Sequence, residues 1–353
     1  MLLLAGCGDG SAGGSEDRAS AGPVADIDCA KSGRVPGSGS TAQANAMEYW
    51  IKEYQLACPM VLLRYNPIGS GGGIAQFRRG ATSFGGTDTP VEGRDAVGLG
   101  AQCAGGRIIN LPLVGGPIAM GYNLPDVDEL VLDAETLARI FDSRITRWND
   151  PAIQKLNPGA ELPPLAINPV HRSDGSGTTQ NFQAYLAGAA PDVWQHPAEK
   201  AWHGRGGSAE DGSEAVASAV NYTVGSIGYF ELSYARELGM STVRIDTGAA
   251  QPVAASTTTA SAGIATADVI GRGKNMILRL DYQTSAPGTY PIVLISYEIV
   301  CEEGNLPATL PALKSFLTYT ASEEGQEPLS RIHYAPLPES VATEVRKVIN
   351  TLR

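Results

Sequence analysis

VLLRYNPIGSGGGIAQFR, residues 61–78, is the stretch of this chain that most clearly indicates its fold class. Residues 61–65 are short, mostly apolar and suited to a strand. A proline and glycine turn follows at residues 67–73, and residues 74–78 have the spacing of a helix. Strand, glycine turn and helix in this order form the repeating unit of α/β proteins, so we predict an α/β fold.

The same alternation of elements extends in both directions from this stretch. Asp133 is a candidate N-cap for one of the further helices, and Gly115 and Gly116 separate two apolar runs, as a hinge between domains would. The further strands are predicted at residues 107–114, 117–123 and 291–300, and the further helices at residues 134–141, 213–222 and 340–352.

Composition excludes several classes of protein. The 353 residues include 37 acidic and 26 basic side chains, a net charge of −11, which argues against a nucleic-acid partner. The length suggests about two domains. No apolar run reaches the roughly 18 residues that cross a bilayer. The cysteines lack the C-x-x-C spacing of zinc and redox sites, so no bound metal is expected. We expect no cofactor either.

The amino terminus indicates a lipid anchor. Residues 4–7 read Leu-Ala-Gly-Cys, the small-residue pattern of a lipobox, with Cys7 as the acylated cysteine. Residues 8–25 are rich in Gly, Ser, Ala and Asp, which suits a flexible linker. We therefore expect residues 1–25 to be a signal remnant and linker, and the protein to be held outside the bacterial cell membrane. The alternative is an apolar start with an incidental free cysteine.

The remaining cysteines are even in number. In an oxidising, extracytoplasmic compartment they predict two disulfides, and the alternative is four buried thiols. They are Cys29, Cys58, Cys103 and Cys301.

Three turns share the same chemistry. Residues 37–41 read GSGST, residues 69–73 read GSGGG and residues 174–179 read DGSGTT, each before a predicted helix. Helix starts present unpaired N–H groups and a partial positive charge, and Ser or Thr adds hydroxyl donors. Three such turns can surround one oxyanion. The alternative for each turn taken alone is an ordinary helix cap.

Two charged residues accompany the turns. Arg172 can give a bidentate hydrogen bond to an oxyanion, with Asp174 holding its guanidinium, or it can form a surface ion pair with Asp174. Asp88 follows a short strand in FGGTDTP, residues 84–90. An ionised aspartate accepts a hydrogen bond from monohydrogen phosphate but repels sulfate, which has no proton at neutral pH.

These motifs together resemble those of the phosphate-binding proteins of bacterial ABC phosphate importers. The resemblance runs in order from about residue 26 to the carboxyl terminus, and its most specific part is R-x-D-G-S-G-T. It implies a class II periplasmic-binding-protein fold, with two lobes joined by a hinge and the ligand in the cleft between them. Further matching segments are WNDP at 148–151, LNPG at 156–159, GSIGY at 225–229 and YAPLP at 334–338.

The resemblance also implies residue roles and lobe limits. The first lobe would comprise residues 26–113 and 291–353, and the second residues 114–290. An aromatic residue is common in the family where this chain has Ala42, and a main-chain contact there would tolerate the change. The phosphate ligands would be Thr41, the Ala42 backbone N–H, Ser70, Asp88, Arg172, Ser176, Gly177 and Thr178, with Asp174 in support.

The family's sheet order implies how the cysteines pair. In the first lobe the strands run second, first, third, returning antiparallel strand, fourth. Cys29 and Cys58 would then precede adjacent strands, and Cys103 would precede the strand beside the one that Cys301 ends. The expected disulfides are Cys29–Cys58 and Cys103–Cys301.

The expected function is that of a non-catalytic, monomeric receptor that captures inorganic phosphate and delivers it to an ABC permease. Sulfate or molybdate is the alternative ligand. A phosphatase with Ser176 or Ser70 as nucleophile is an alternative of another class, although no His and Asp pair, G-x-S-x-G elbow or P-loop accompanies either serine. A third reading is an adhesion or sensor protein that has lost its ligand.

Overall fold

The computed structural model describes residues 27–353, so the predicted anchor Cys7 and the linker over residues 1–25 lie outside the described residues. The described part is an α/β protein, as predicted. Its strands are β1 Gly33–Gly39, β2 Val61–Pro67, β3 Phe84–Thr87, β4 Ile108–Tyr122, β5 Val131–Asp133, β6 Asn168–Arg172, β7 Ser208–Glu210, β8 Ser226–Glu231, β9 Arg244–Asp246, β10 Val253–Ala254, β11 Asp268–Val269, β12 Leu278–Arg279 and β13 Val293–Cys301.

Helices connect most of these strands. They are α1 Ala44–Ala57, α2 Gly69–Arg78, α3 Gly93–Ala96, α4 Ala134–Phe141, α5 Pro151–Leu156, α6 Gly177–Ala189, α7 Gly212–Tyr222, α8 Leu232–Glu237, α9 Thr257–Ala265, α10 Leu310–Thr320, α11 Glu323–Gln326 and α12 Glu339–Asn350, with short 3-10 turns at Leu99–Gln102, Ala104–Gly106 and Glu327–Ile332.

The main sheet runs through both lobes in the order β2-β1-β3-β13-β4-β8-β6-β7. Its first five strands have the order that the family resemblance implies. β1 is parallel to β2 and β3, while β13 is antiparallel to β3 and β4. In the second lobe β6 is parallel to β7 and β8. The lobes therefore form the predicted two-lobed fold.

The strand β4 connects the two lobes. It pairs with β13 over residues 108–117 and with β8 over residues 118–122. The predicted break at Gly115 and Gly116 is absent from this strand, because both residues keep extended pairing opposite Ile295 and Leu294. The change of pairing partner follows directly after the two glycines.

The helix α2 begins five residues earlier than its sequence pattern indicates. The glycine stretch predicted as a turn forms its first turns, starting at Gly69 with φ 78°. A Cβ on Gly73 would lie 2.4 Å from the Cα of Gly39 at the end of β1. Glycine is therefore used here to bring the helix onto the strand, which its low helix propensity conceals in the sequence.

Both predicted disulfides are present. Cys29 is bonded to Cys58, with Cα atoms 5.5 Å apart, and Cys103 is bonded to Cys301, with Cα atoms 5.3 Å apart. The first bond lies before β1 and β2, and the second joins the residues before β4 to the end of β13. Both therefore lie at the end of the first lobe that is opposite the strand ends carrying its two glycine turns.

Aromatic side chains form much of the second-lobe core. Phe141 meets Phe182 edge to face with ring centroids 4.9 Å apart, and Phe182 packs on Tyr229 at 4.7 Å. Trp202 stacks on Tyr229 at 5.7 Å. This packing holds the Tyr229 ring next to the end of β6.

Over residues 27–353, none of the helices combines the length and the apolar character that a membrane crossing requires.

Candidate oxyanion-binding site

The three predicted turns meet between the lobes. The turn after β1 and the start of α2 come from the first lobe, and the start of α6 comes from the second. Every predicted ligand residue is buried: Thr41 is the most exposed at 7%, while Asp88 and Arg172 are each 2% exposed. A carboxyl group and a guanidinium are thus enclosed together with the amino termini of two helices.

The first turn is held by tyrosines from distant elements. The Tyr234 hydroxyl donates to the Thr41 carbonyl at 2.6 Å, and the Tyr334 hydroxyl donates to the Ala42 carbonyl at 2.6 Å. The Ala42 N–H, predicted to face the ligand, donates to Ser40 Oγ at 3.0 Å. The turn is therefore positioned by its carbonyl groups, and the N–H has an internal partner in this structure.

Both carboxyl oxygens of Asp88 accept hydrogen bonds from hydroxyl groups. Ser40 and Ser296 donate to Oδ1, the latter at 2.8 Å, and Thr178 donates to Oδ2 at 3.1 Å. Burial raises the pKa of Asp88, while these hydroxyls and the charge of Arg172 act to lower it. Three donors favour the charged form of a buried carboxyl, so the group is built to accept hydrogen bonds.

Ser70 joins the two lobes through its side chain. Its Oγ accepts from the N–H of Asp88 at 3.3 Å and from the N–H of Gly177 at 3.1 Å. Nearby, the Gly71 N–H donates to the Gly175 carbonyl at 2.7 Å. A Cβ on Gly177 would lie 2.7 Å from Ser70 Oγ. Glycine at the start of α6 is therefore what lets the lobes come this close.

The guanidinium of Arg172 is held by the carboxylate of Asp174. Its Nε and one terminal nitrogen both donate to Asp174 at 2.5 Å, and its other terminal nitrogen donates to Ser213 at 3.2 Å. Asp174 also accepts from the Gly212 N–H at 3.2 Å. The guanidinium plane is thereby set by a bidentate pair from its own loop. Because the Arg172 side chain is 1% exposed and that of Asp174 is 13% exposed, this is not a surface ion pair.

Ser176 and Thr178 occupy different positions at the start of α6. The Ser176 hydroxyl is the N-cap and accepts from the Thr179 N–H at 3.1 Å, while its own N–H donates to the Lys200 carbonyl at 3.0 Å. The Thr178 hydroxyl instead faces Asp88 across the cleft. The two features expected of this turn, a helix cap and a site donor, are therefore divided between two side chains.

Sequence reasoning missed three serines of the site. Ser40 lies within the first turn but was not among the predicted ligands, and Ser296 is 208 positions from Asp88. Ser213 Oγ lies 2.9 Å from Thr41 Oγ1 and so connects the lobes beside Arg172. The presence of Ser40 in GSGST was a usable signal, whereas Ser213 and Ser296 reach the site only through the fold.

One edge of the cleft carries a second polar contact between the lobes. Lys200 Nζ lies 2.5 Å from Asp95 Oδ2 and donates to Gln180 at 3.2 Å. The Thr89 hydroxyl also donates to Gln180, at 2.9 Å. The Asp95 side chain is 48% exposed, so water weakens this ion pair.

The serines lack the partners of a catalytic nucleophile. Among the described residues, neither the Ser70 nor the Ser176 hydroxyl contacts a histidine, lysine or carboxylate. His171, the histidine nearest in sequence, stacks on Trp202 with ring centroids 5.1 Å apart, and burial lowers its pKa. The arrangement can therefore bind an anion, but it contains no activated serine.

Comparison with known proteins identifies the family. The sequence matches the PBP superfamily domain over residues 19–324. Phosphate-binding protein PstS 3 of Mycobacterium tuberculosis is 40% identical over 356 residues, covering 99% of this chain and 95% of the relative. Phosphate-binding protein PstS 2 of that species is 38% identical with the same coverage.

A solved structure supports the fold. The phosphate-binding protein of Stenotrophomonas maltophilia superposes with a TM-score of 0.69 and 19% identity, covering 89% of this chain and 93% of that one. This identity supports the architecture alone, whereas the mycobacterial relatives are similar along almost the whole sequence. The chain belongs to the PstS family of phosphate-binding proteins, within the PBP superfamily.

Proposed function

We propose that this protein is an extracytoplasmic receptor that binds monohydrogen phosphate between its lobes and delivers it to an ABC permease. The observation that carries the proposal is the enclosure of Asp88 and Arg172 together with the starts of α2 and α6. A cation and helix N–H groups attract an oxyanion, and a carboxylate beside them requires that the anion carry a proton.

The ligand contacts in this proposal come from both lobes. The first lobe, residues 26–113 and 291–353, contributes an acceptor and neutral donors, and the second lobe, residues 114–290, contributes the cation. Phosphate would replace the present contacts of Thr178 and Ser70 across the cleft with contacts to its own oxygens. The proposed ligands are Thr41, the Ala42 N–H, Ser70, Asp88, Arg172, Ser176, Gly177 and Thr178.

Asp88 is the proposed specificity residue. Its three hydroxyl partners support an ionised carboxylate, which can accept the proton of monohydrogen phosphate. Sulfate offers only lone pairs at neutral pH, so it would face the carboxylate without a hydrogen bond. The same argument disfavours molybdate. The carboxylate therefore distinguishes among tetrahedral oxyanions of similar size.

The proposed cellular arrangement follows from the amino-terminal sequence and from the family. Acylation of Cys7 would tether the protein to the outer face of the cell membrane, and residues 8–25 would act as the linker. The receptor would work as a monomer, without a cofactor, and would leave phosphomonoesters intact because Ser70 and Ser176 have no activating base. Its partner would be the permease complex of a phosphate importer.

Titration calorimetry of the purified protein tests the proposal. Phosphate and sulfate are titrated side by side at neutral pH, and turnover of a nitrophenyl phosphate ester is measured in parallel. We expect one phosphate per chain, far weaker binding of sulfate and no ester hydrolysis. Equal binding of both anions would remove the role given to Asp88, and ester turnover would instead indicate a phosphatase.

A further inference from the structure

A second carboxyl group lies behind Asp88. Glu298, in β13, is fully buried and lies opposite Gly86 in β3, two residues before Asp88. Ser296, which donates to Asp88, is two residues earlier in β13 and therefore on the same face of the strand as Glu298. Two acidic side chains therefore lie on the first-lobe side of the site, and Glu298 is the one behind Asp88.

The contacts of Glu298 differ from those of Asp88. Its Oε1 accepts from Gln43 Nε2 at 2.8 Å. Its Oε2 is buried, and among the described residues no donor reaches it; the same holds for Gln43 Oε1. Two neighbouring side chains therefore each leave one acceptor without a partner. A carboxyl and an amide can satisfy both acceptors at once when the carboxyl carries a proton.

We propose that Glu298 is protonated at neutral pH and donates from Oε2 to Gln43 Oε1, forming a neutral acid–amide pair that positions the first turn of the site. This proposal rests on the proposed function only where it concerns phosphate. Glu298 is a positioning residue, because it acts on the site through Gln43 and does not touch the ligand position.

The ionised alternative is unfavourable for two reasons. It would leave a buried charge with a single amide donor, and it would leave both Glu298 Oε2 and Gln43 Oε1 buried without a donor. Burial, supported by the charge of Asp88, raises the pKa of Glu298 to about 8. The titratable groups that face it are Asp88 after β3 and Tyr65 on β2, and neither supplies a positive charge.

Hydrogen bonds connect this pair to the site. Gln43 Nε2 also donates to the Tyr65 hydroxyl at 2.9 Å, and Tyr65 donates to the Ser40 carbonyl at 2.9 Å. Ser40 in turn donates to Asp88 through its side chain. Gln43 immediately follows Ala42 and is the N-cap residue of α1. The orientation of the Gln43 amide therefore influences the turn that holds Ser40, Thr41 and Ala42.

The substitution Glu298→Gln removes the titrating group but keeps the shape of the side chain. Glutamine accepts and donates as the protonated acid would, so E298Q should fold and bind phosphate at pH 7 with an affinity within about twofold of the wild type. Glu344→Gln, on the exposed face of α12, is the matched control, because it removes one carboxyl without touching the site. Loss of folding in E298Q would contradict the proposal.

The pH dependence of stability tests whether Glu298 carries a proton in the folded protein, and this test needs no phosphate. A carboxyl whose pKa is higher in the folded than in the unfolded chain binds more protons when folded, so its contribution to stability decreases as pH rises. For Glu298 this decrease extends from its ordinary pKa near 4.5 to about 8. We expect the free energy of unfolding, measured by chemical denaturation, to decrease less over this pH range in E298Q than in the wild type and in E344Q.

Infrared spectroscopy tests the proton directly. The wild-type spectrum at pH 7 minus that of E298Q should contain the carbonyl band of a protonated carboxyl, and the band should fall to half its intensity near pH 8 and be almost lost about one pH unit above that. An absent band, together with identical pH slopes of stability in wild type and E298Q, would show that Glu298 is ionised and would overturn the proposal.

Phosphate affinity tests the effect on the site. Deprotonation of Glu298 adds a negative charge behind Asp88, so the wild-type affinity for phosphate should weaken between pH 7 and pH 9. If bound phosphate raises the pKa of Glu298 by about one unit, the affinity falls by up to about tenfold. E298Q should weaken less. If wild type and E298Q weaken equally, the coupling to the site is wrong. Failure of both to bind phosphate, with the infrared band present, would reject the proposed function while supporting the protonated Glu298.

Discussion

The two lobes support their charged site residues in opposite ways. Arg172, in the second lobe, is fixed by a bidentate contact with the carboxylate of Asp174. Asp88, in the first lobe, is surrounded by neutral hydroxyls from Ser40, Ser296 and Thr178. A cation held by a charged partner keeps one geometry, whereas hydroxyls can rotate and exchange partners. The second lobe thus supplies a rigid anchor, and the first supplies an adaptable acceptor.

Removal of the rigid anchor should have the largest effect. Arg172→Ala deletes the cation and leaves Asp174 partly buried without it, for which losses of about 2–5 kcal/mol are typical of paired charges in interfaces. We expect phosphate binding in calorimetry to weaken by at least about thirtyfold. Arg139→Ala, on the exposed side of α4, is the control and should bind normally. A dissociation constant within threefold of wild type would exclude Arg172 from the site.

Removal of the acceptor's charge should alter selectivity more than affinity. Asp88→Asn can offer an N–H to a fully ionised anion, so the preference for phosphate over sulfate should fall by about 1.5–3 kcal/mol, the range for a charged hydrogen bond. Parallel titrations with both anions measure this ratio. Asp95→Asn removes a half-exposed acid from the same lobe and should leave the ratio unchanged. An unaltered ratio in D88N would assign selectivity to other residues.

The contact between the lobes can be tested at a single glycine. A Cβ on Gly177 would approach Ser70 Oγ to 2.7 Å and Asp88 Cβ to 2.8 Å, so Gly177→Ala should keep the lobes apart. Overpacking of this kind costs about 1–3 kcal/mol, and phosphate affinity should fall by about tenfold. Gly188→Ala lies on the same helix, where the added Cβ meets its nearest atom at 3.6 Å, and should bind normally.

The sequence predicted this architecture well for a physical reason. Strand, glycine turn and helix are local patterns, and residues 61–78 contain all three, so the fold class followed from neighbouring residues alone. The disulfides were predicted from the family's sheet order, which places Cys103 beside Cys301 although they are 198 residues apart. The start of α2 was misplaced, because glycines that weaken a helix locally are required by its close packing on β1.

Two of the residues that escaped prediction lie in β13. Ser296 and Glu298 occupy ordinary positions in an apolar strand, and only the fold brings Ser296 to Asp88 and Glu298, which pairs opposite Gly86 of β3, to Gln43. Gln43 and Glu298 are 255 positions apart, so no local pattern indicates their contact. The glycine turns could thus be recognised from sequence as candidate ligand positions, whereas Ser296, Glu298 and Ser213 reach this region only through the three-dimensional arrangement of strands and helices.

The smallest expected effect concerns the ion pair at the cleft edge. Its cation, Lys200, belongs to the second lobe, as Arg172 does, and its partner Asp95 is a half-exposed residue of the first lobe. Lys200→Met removes the contact with Asp95 but keeps the Lys200 backbone carbonyl that accepts from Ser176. Partly exposed pairs contribute about 0.2–1 kcal/mol, so phosphate should dissociate up to about fivefold faster, and less so at high salt. Stopped-flow dissociation measures this rate, with Lys155→Met on α5 as the control. An increase of more than tenfold in the dissociation rate would mean that Lys200 contacts the ligand. The second lobe would then contain two cationic anchors.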